Sequence, residues 1–347
     1  MSGKWYAAGG NDKGQLGLGH TNEVCAFTEV AGDWGKITAV VCERWHTFMR
    51  SEHGKWYAVG LNNHGQLGLG HTNKVCAFTE VKDMGGWGKI VAVECGGYHT
   101  FMRSEHGKWY AAGYNSMGQL GLGHTDEVST FTEVAGGWGK IVAVVCGHCH
   151  TFMRSEDEKV YAVGLNDYGQ LGLGHNNYCV STFTEVTGDW GKIVEVKCGG
   201  HHTFMRSEHG KWYAAGWNTY GQLGLEHTYV VWAFREVTGG KIVAVECGWA
   251  HTFMRSEHGM WYAGGFNIYG QLGLGHNNEV CAFTEVKDMA GWGKIVSVKC
   301  GGCYTFILKG KICRKCGCGF IPTKLSDKML NAVITFSTAE RIIEIKD

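Results

Sequence analysis

The residues with the most chemical capacity in this chain are its 15 cysteines and 18 histidines, and their spacing bounds what they can do. Five histidines, His46, His99, His150, His202 and His251, each precede the string Thr-Phe-Met-Arg, and Tyr304 takes the sixth place. Imidazole is a common metal ligand, but a tetrahedral zinc ion needs nitrogens within about 2.1 Å of one point. Side chains at one equivalent position of successive units are spread apart, so a histidine hydrogen-bonded to backbone in each unit is the expected role. A sharper metal candidate lies near the C-terminus, where Cys300-x-x-Cys303 is followed after nine residues by Cys313-x-x-Cys316. Two such pairs outline a zinc site. The plainer reading is preferred, since Cys300 also belongs to a recurring column and the intervening loop is shorter than in most zinc ribbons.

That column is Cys42, Cys95, Cys146, Cys198, Cys247 and Cys300, one per unit, where a small apolar side chain suits a packed strand. Equivalent positions stand too far apart for a disulfide, which points to a reducing compartment, the cytoplasm or nucleus. No P-loop, no Gly-x-Ser-x-Gly elbow and no His-Glu-x-x-His occurs. The expectation is a protein that is not an enzyme and has no cofactor.

The elements that must carry these residues recur with a period of about fifty. Gly-Gln-Leu-Gly-Leu begins at Gly14, Gly65, Gly118, Gly169, Gly221 and Gly270, in steps of 51, 53, 51, 52 and 49 residues. Each unit contains an apolar run such as Ile90 to Cys95, a turn, His99 to Arg103, a second turn, then Trp109 to Gly113, the glycine loop and Phe131 to Val134. These segments are short, rich in β-branched and aromatic residues and bounded by turn formers, so four strands per unit are expected. The Ile-Val-Ala-Val runs lack polar alternation, which predicts a strand covered on both faces. Ser104 to Gly107 reads as a hairpin turn closed by its glycine.

An open stack would expose edge strands and apolar ends, whereas a closed ring of blades would not. The expected fold is therefore all-β, a closed β-propeller of four-stranded antiparallel blades. Residues 1–308 hold six tandem repeats, and 309–347 form a degenerate seventh blade or a closing C-terminal segment, the alternative being six blades plus an extension. The N-terminal strand starts in mid-unit and lacks a hairpin partner, which Thr305 to Leu308 could supply.

The unit Cys-Gly-x-x-His-Thr, followed by Gly-Lys-Trp-Tyr-Ala-x-Gly-x-Asn-x-x-Gly-Gln-Leu-Gly-Leu-Gly-His, resembles the regulator-of-chromosome-condensation repeat from Ser2 to about Leu308. The resemblance implies a seven-bladed propeller. It also implies a menu of roles: nucleotide exchange on the small GTPase Ran, chromatin docking, ultraviolet-B sensing in plants, and modules of ubiquitin ligases. Two departures stand out. Phe27-Thr28 replaces the proline usual before the Val strand, and no basic tail precedes the first unit.

Charge argues against nucleic acid, since Lys plus Arg and Asp plus Glu are equal at 32 each. No apolar run approaches the ~20 residues of a membrane span. A soluble monomer that binds a protein, with a small GTPase among the candidates, is the expectation.

Where the copies differ, packing does not fix the residue. One variable column, after the Trp-Tyr-Ala-x-Gly strand, is Gly10, Leu61, Tyr114, Leu165, Trp217 and Phe266. A second, just before Gly-Gln, is Lys13, His64, Met117, Tyr168, Tyr220 and Tyr269. The turn before His-Thr supplies Arg44, Trp45, Tyr98, His148, His201 and Trp249. Such a set has the make-up of a protein-binding patch. Its expected members are Arg44, Trp45, Tyr98, His148, His201, Trp249, Tyr114, Trp217, Phe266, Tyr168, Tyr220 and Tyr269, while the blander role is filling gaps between blades.

The resemblance places acidic residues of the Ran exchange factor in that turn, and this chain has none at Arg44, Trp45, Gly97, Tyr98, His148, Cys149, Gly200, His201, Trp249 or Ala250. The plant photoreceptor's Gly-Trp-Arg-His-Thr series is matched only at Trp249, with Ala250 in place of arginine. The sequence therefore reads as a non-catalytic interaction scaffold. The alternatives are an exchange factor or regulator of a Ran-like GTPase, and a substrate-recognition adaptor in ubiquitin transfer.

Overall fold

Each repeat must bury apolar strands that it cannot shield alone, and the computed structural model shows how. It describes residues 4–83, 86–287 and 295–309. The segment expected to form a seventh blade or closing piece, with Cys313 and Cys316, lies outside the described residues apart from Lys309. Among those described, the regular elements are β-strands without a helix, and no helix is long and apolar enough to cross a membrane.

The chain divides into two compact units: 4–165 with Cys179–Thr184, and Asn166–Tyr178 with 185–309, counted over the described residues. In the first, β1 (Tyr6–Gly9) pairs with β2 (Val24–Glu29). Three four-stranded antiparallel sheets follow. They are β3 (Ile37–Cys42), β4 (His46–Ser51), β5 (Trp56–Gly60) and β6 (Val75–Glu80); β7 (Ile90–Cys95), β8 (His99–Ser104), β9 (Trp109–Gly113) and β10 (Val128–Glu133); and β11 (Ile141–Cys146), β12 (His150–Ser155), β13 (Val160–Leu165) and β14 (Cys179–Glu185).

The second unit repeats the plan in β15 (Ile193–Cys198), β16 (His202–Ser207), β17 (Trp212–Gly216) and β18 (Val231–Glu236), then in β19 (Ile242–Cys247), β20 (His251–Ser256), β21 (Trp261–Gly265) and β22 (Val280–Glu285). It ends with β23 (Ile295–Cys300) paired to β24 (Thr305–Lys309). The register is the same in every copy: Cys42 faces Thr47 as Cys95 faces Thr100 and Cys300 faces Thr305. The four-stranded blades expected from the repeat are thus present. β1 pairs with β2 and β24 with β23, so the partner expected for β1 from Thr305 to Leu308 is not among the described pairings.

The hairpin turn is as expected. Gly107 at φ 81° donates its N–H to Ser104 O at 2.9 Å, and Ser104 N–H donates to Lys108 O at 2.9 Å. The expectation for the apolar runs needs correcting. Val91, Ala92, Val142 and Ala143 are only partly buried, because β7 and β11 are the first strands of their sheets, with a hydrogen-bonded neighbour on one side. The strand covered on both faces is the second one, where His, Thr, Phe and Met are all buried in β4, β8, β12, β16 and β20.

Cores form between consecutive blades. Phe48, Trp56 and Leu67 of one blade pack with Val93, Met102 and Tyr110 of the next. Phe204, Trp212 and Leu223 pack with Val245 and Met254 in the same way. The tryptophan also stitches backbone, since Trp56, Trp109 and Trp212 donate their indole N–H to Ile90, Ile141 and Ile242 carbonyls at 3.2, 3.3 and 3.1 Å. The tryptophans Trp56, Trp109, Trp212 and Trp261 are therefore packing residues.

Candidate functional site

Two features recur where strands meet turns. One is a buried polar relay. His46 Nε2 lies 3.1 Å from the hydroxyl of Thr100 in the next blade, and the Thr100 hydroxyl donates to the Gln66 carbonyl at 2.8 Å. His99, Thr151 and Gln119 repeat it at 2.9 and 2.8 Å. In the second unit His202 meets Thr252 at 3.0 Å and His251 meets Thr305 at 3.1 Å. A hydroxyl that has spent its proton on a carbonyl can only accept, so the imidazole must carry its proton on Nε2.

This corrects the expected backbone role: the histidine partner is a side chain about fifty residues away. The Nδ1 atoms of His46, His99, His202 and His251 are buried and have no hydrogen-bond partner among the described residues. A glycine Cα faces the rings of His99, His202 and His251, and a Cβ on Gly96 would stand 2.2 Å from His99 Cε1 and 2.6 Å from its Nδ1. Burial accordingly holds these imidazoles neutral, with the pKa of His46 and His251 down at about 4 and that of His99 and His202 at about 3.

The cysteine column is equally inert. Burial raises the Cys42 thiol to about 11 and pushes Cys95, Cys198, Cys247 and Cys300 upward as well. Such thiols stay protonated and are poor nucleophiles and poor ligands. Cys300 donates to the Glu246 carbonyl at 3.7 Å, in its repeat position. Among the described residues no group of three or more His, Cys, Asp or Glu is arranged to hold a metal ion.

The second feature is the variable turns. A main-chain bond ties two of the columns within each blade, as Tyr114 N–H donates to Tyr98 O at 2.9 Å and Trp217 N–H to His201 O at 2.8 Å. Successive turns are linked too, through Gly97 N–H to Gly147 O and Gly200 N–H to Trp249 O, at 3.3 and 3.0 Å. The remaining column reaches across to the following blade. Each cluster therefore takes one residue from one blade and two from the next.

In the first unit His64 packs on Tyr98 and Tyr114 with ring centroids 5.7 and 4.8 Å away, and Tyr98 continues to His148 at 5.2 Å. His64 Nδ1 donates to Glu127 at 2.6 Å. The Arg44 guanidinium and Lys13 ammonium lie 4.6 and 5.6 Å from the Trp45 ring.

In the second unit the rings run on without a break. Tyr168 meets His201 and Trp217, each at 5.4 Å. Trp217 meets Trp249 at 5.8 Å and Tyr220 at 5.0 Å, Tyr220 meets Phe266 at 5.0 Å, and Phe266 meets Tyr269 at 6.1 Å. Most of these rings are half-buried, while Tyr269 is 69% exposed. The same side chains fill gaps between blades and keep part of their surface open. Leu165, in one of the variable columns, is instead buried at 7%, so variability there does not mark surface. His64, Glu127 and Asp167 belong to the clusters but were not among the expected members. His64 stood in a variable column, whereas only the folded pairing reveals the two acids.

Repeated four-stranded antiparallel blades packed face to face, with side-chain-rich turns at their ends, define a β-propeller. The chain belongs to the RCC1-like domain family, whose model matches residues 2–307. It is 32% identical over 237 residues to the ultraviolet-B receptor of Arabidopsis thaliana, covering 65% of this chain and 51% of that protein. It is also 32% identical over 284 residues to the human X-linked retinitis pigmentosa GTPase regulator, covering 64% of this chain and 27% of that protein. The chain thus spans about half or less of these relatives. Among solved structures, human WBSCR16 superposes with a TM-score of 0.75 at 22% identity over 89% of this chain and 83% of that one, which shows the fold.

Proposed function

We propose that the protein is a non-catalytic interaction scaffold that presents its aromatic turn clusters to a protein partner, in the cytoplasm or nucleus. The observation that carries this reading is the continuous run of half-buried rings from Tyr168 through Trp217 and Tyr220 to Phe266, with Trp249 branching from Trp217. Rigid aromatic side chains lose little conformational entropy on binding and dominate the energetics of protein interfaces. The protonated cysteines and neutral buried histidines leave little nucleophilic or acid–base chemistry to those two columns.

A second reading, regulation of a small GTPase, is favoured by the name of the human relative, whose matched part is a minor share of its length. Chemical crosslinking followed by affinity capture of the full chain separates the readings. A GTPase captured preferentially in its nucleotide-free form supports regulation or exchange, and ligase subunits support an adaptor role in ubiquitin transfer. Protein capture that survives alanine at both Trp217 and Trp249 contradicts the scaffold surface.

A further inference from the structure

The two units solve the same packing problem with different charge. In the first, the exposed turns carry their own cations: Arg44 and Lys13 both sit against Trp45. In the second, the turns at 166–168, 199–201, 217–220, 248–250, 266–269 and 301–303 contain no lysine or arginine, and their one carboxylate is Asp167. Asp167 adjoins Tyr168 in the chain and stands 3.9 Å from His201. Its described contacts fall on Oδ1, which accepts from Gln170 Nε2 at 3.0 Å and faces His201; Oδ2 has no hydrogen-bond partner among the described residues. The Asp167 side chain is 27% exposed. Burial pushes the His201 pKa down, against the opposing pull of Asp167, so that imidazole is a poor counter-ion for the carboxylate.

Tyr168 and Trp217 lie closer to parallel than to perpendicular, with an interplanar angle of 30° and centroids 5.4 Å apart. A planar cation that stacks on such faces while pairing with a carboxylate is a guanidinium, which does both better than an ammonium. The first unit shows the stacking part of this arrangement made internally, by Arg44 on Trp45. We propose that the Asp167, Tyr168 and Trp217 cluster of the second unit receives an arginine side chain from an extended segment of a protein partner. This rests on the interaction-surface reading above and names the chemistry of the partner.

The test is calorimetric titration of the full chain with a short capped peptide of alternating glycine and arginine. Two controls replace arginine by lysine or by citrulline, which keeps the shape and removes the charge. The expected order is arginine over lysine over citrulline, with citrulline about ten-fold or more weaker. Asp167→Asn should weaken the arginine peptide by about ten-fold and flatten its salt dependence, with the melting temperature unchanged. Equal binding of arginine and citrulline peptides, or indifference to Asp167→Asn, overturns the inference. If the peptide fails but a captured protein still depends on Trp217 or Trp249, this inference falls and the interaction surface stands; if capture survives alanine at both, both fall.

Discussion

Between pH 7.5 and 4.5 the protein is expected to lose most of its stability, in both units. The cause is the buried relay. His46 and His99 in the first unit, and His202 and His251 in the second, have pKa values of about 3 to 4 when folded, against about 6.5 in an unfolded chain. As pH falls through about 6.5 the unfolded state takes up protons that the folded state refuses. Stability is fully present above that value and is lost progressively down to the folded pKa.

Each histidine removes about 1.4 kcal/mol per pH unit, so by pH 5 the two in each unit together cost about 4 kcal/mol. That is a large part of the 5–15 kcal/mol typical of a folded domain. Thermal melts at constant ionic strength across this range should show a steep fall setting in below about pH 6. His99→Asn should start from a lower melting temperature at pH 7.5 and fall less steeply. A melting temperature that stays level from pH 7.5 to 5 would falsify the assignment of these histidines as neutral relay members.

The second large effect separates binding from folding. Trp217→Ala is expected to reduce affinity for a captured partner by about thirty-fold or more, the range of an aromatic anchor at an interface, while costing little stability. Phe204→Ala, in the second strand one blade face away, should do the reverse. Its ring is fully buried between Trp212, Val245 and Met254, and truncating such a phenylalanine costs about 3–5 kcal/mol. Guanidinium unfolding and a surface-binding assay on the two variants read both quantities. Equal loss of stability in the two would mean that Trp217 is a core residue.

The blades are legible in the repeat itself. The Gly-Gln-Leu-Gly-Leu spacing, the short β-rich segments and the glycine of the Ser-x-x-Gly turn are local signals, and each is realised locally. The features that the repeat leaves open depend on contacts made across blades. The partner of His46 is Thr100, and the pairing that places Glu127 beside His64 spans a similar distance. A period of fifty residues says that equivalent positions recur but not which atom of the next copy they touch.

Apolar content misleads in the same way. The Ile-Val-Ala-Val run reads as doubly covered, but its place at the start of each sheet leaves its second and third residues half open, and the more polar His-Thr-Phe-Met strand takes the buried place, where its histidine Nε2 and threonine hydroxyl are paired across blades. The variable columns point to turn residues that meet from two blades, yet variability alone does not separate the buried Leu165 from the open Tyr269.

Amide hydrogen exchange of the full chain, alone and with a crosslink-identified partner, addresses the interaction surface most directly. Protection should concentrate in the turns at 200–201, 217–220, 249–250 and 266–269, with the exposed strands at Val24–Glu29 and Val280–Glu285 unaffected. Protection confined to those strands, with the aromatic turns exchanging as fast in the complex as in the free protein, would contradict the account.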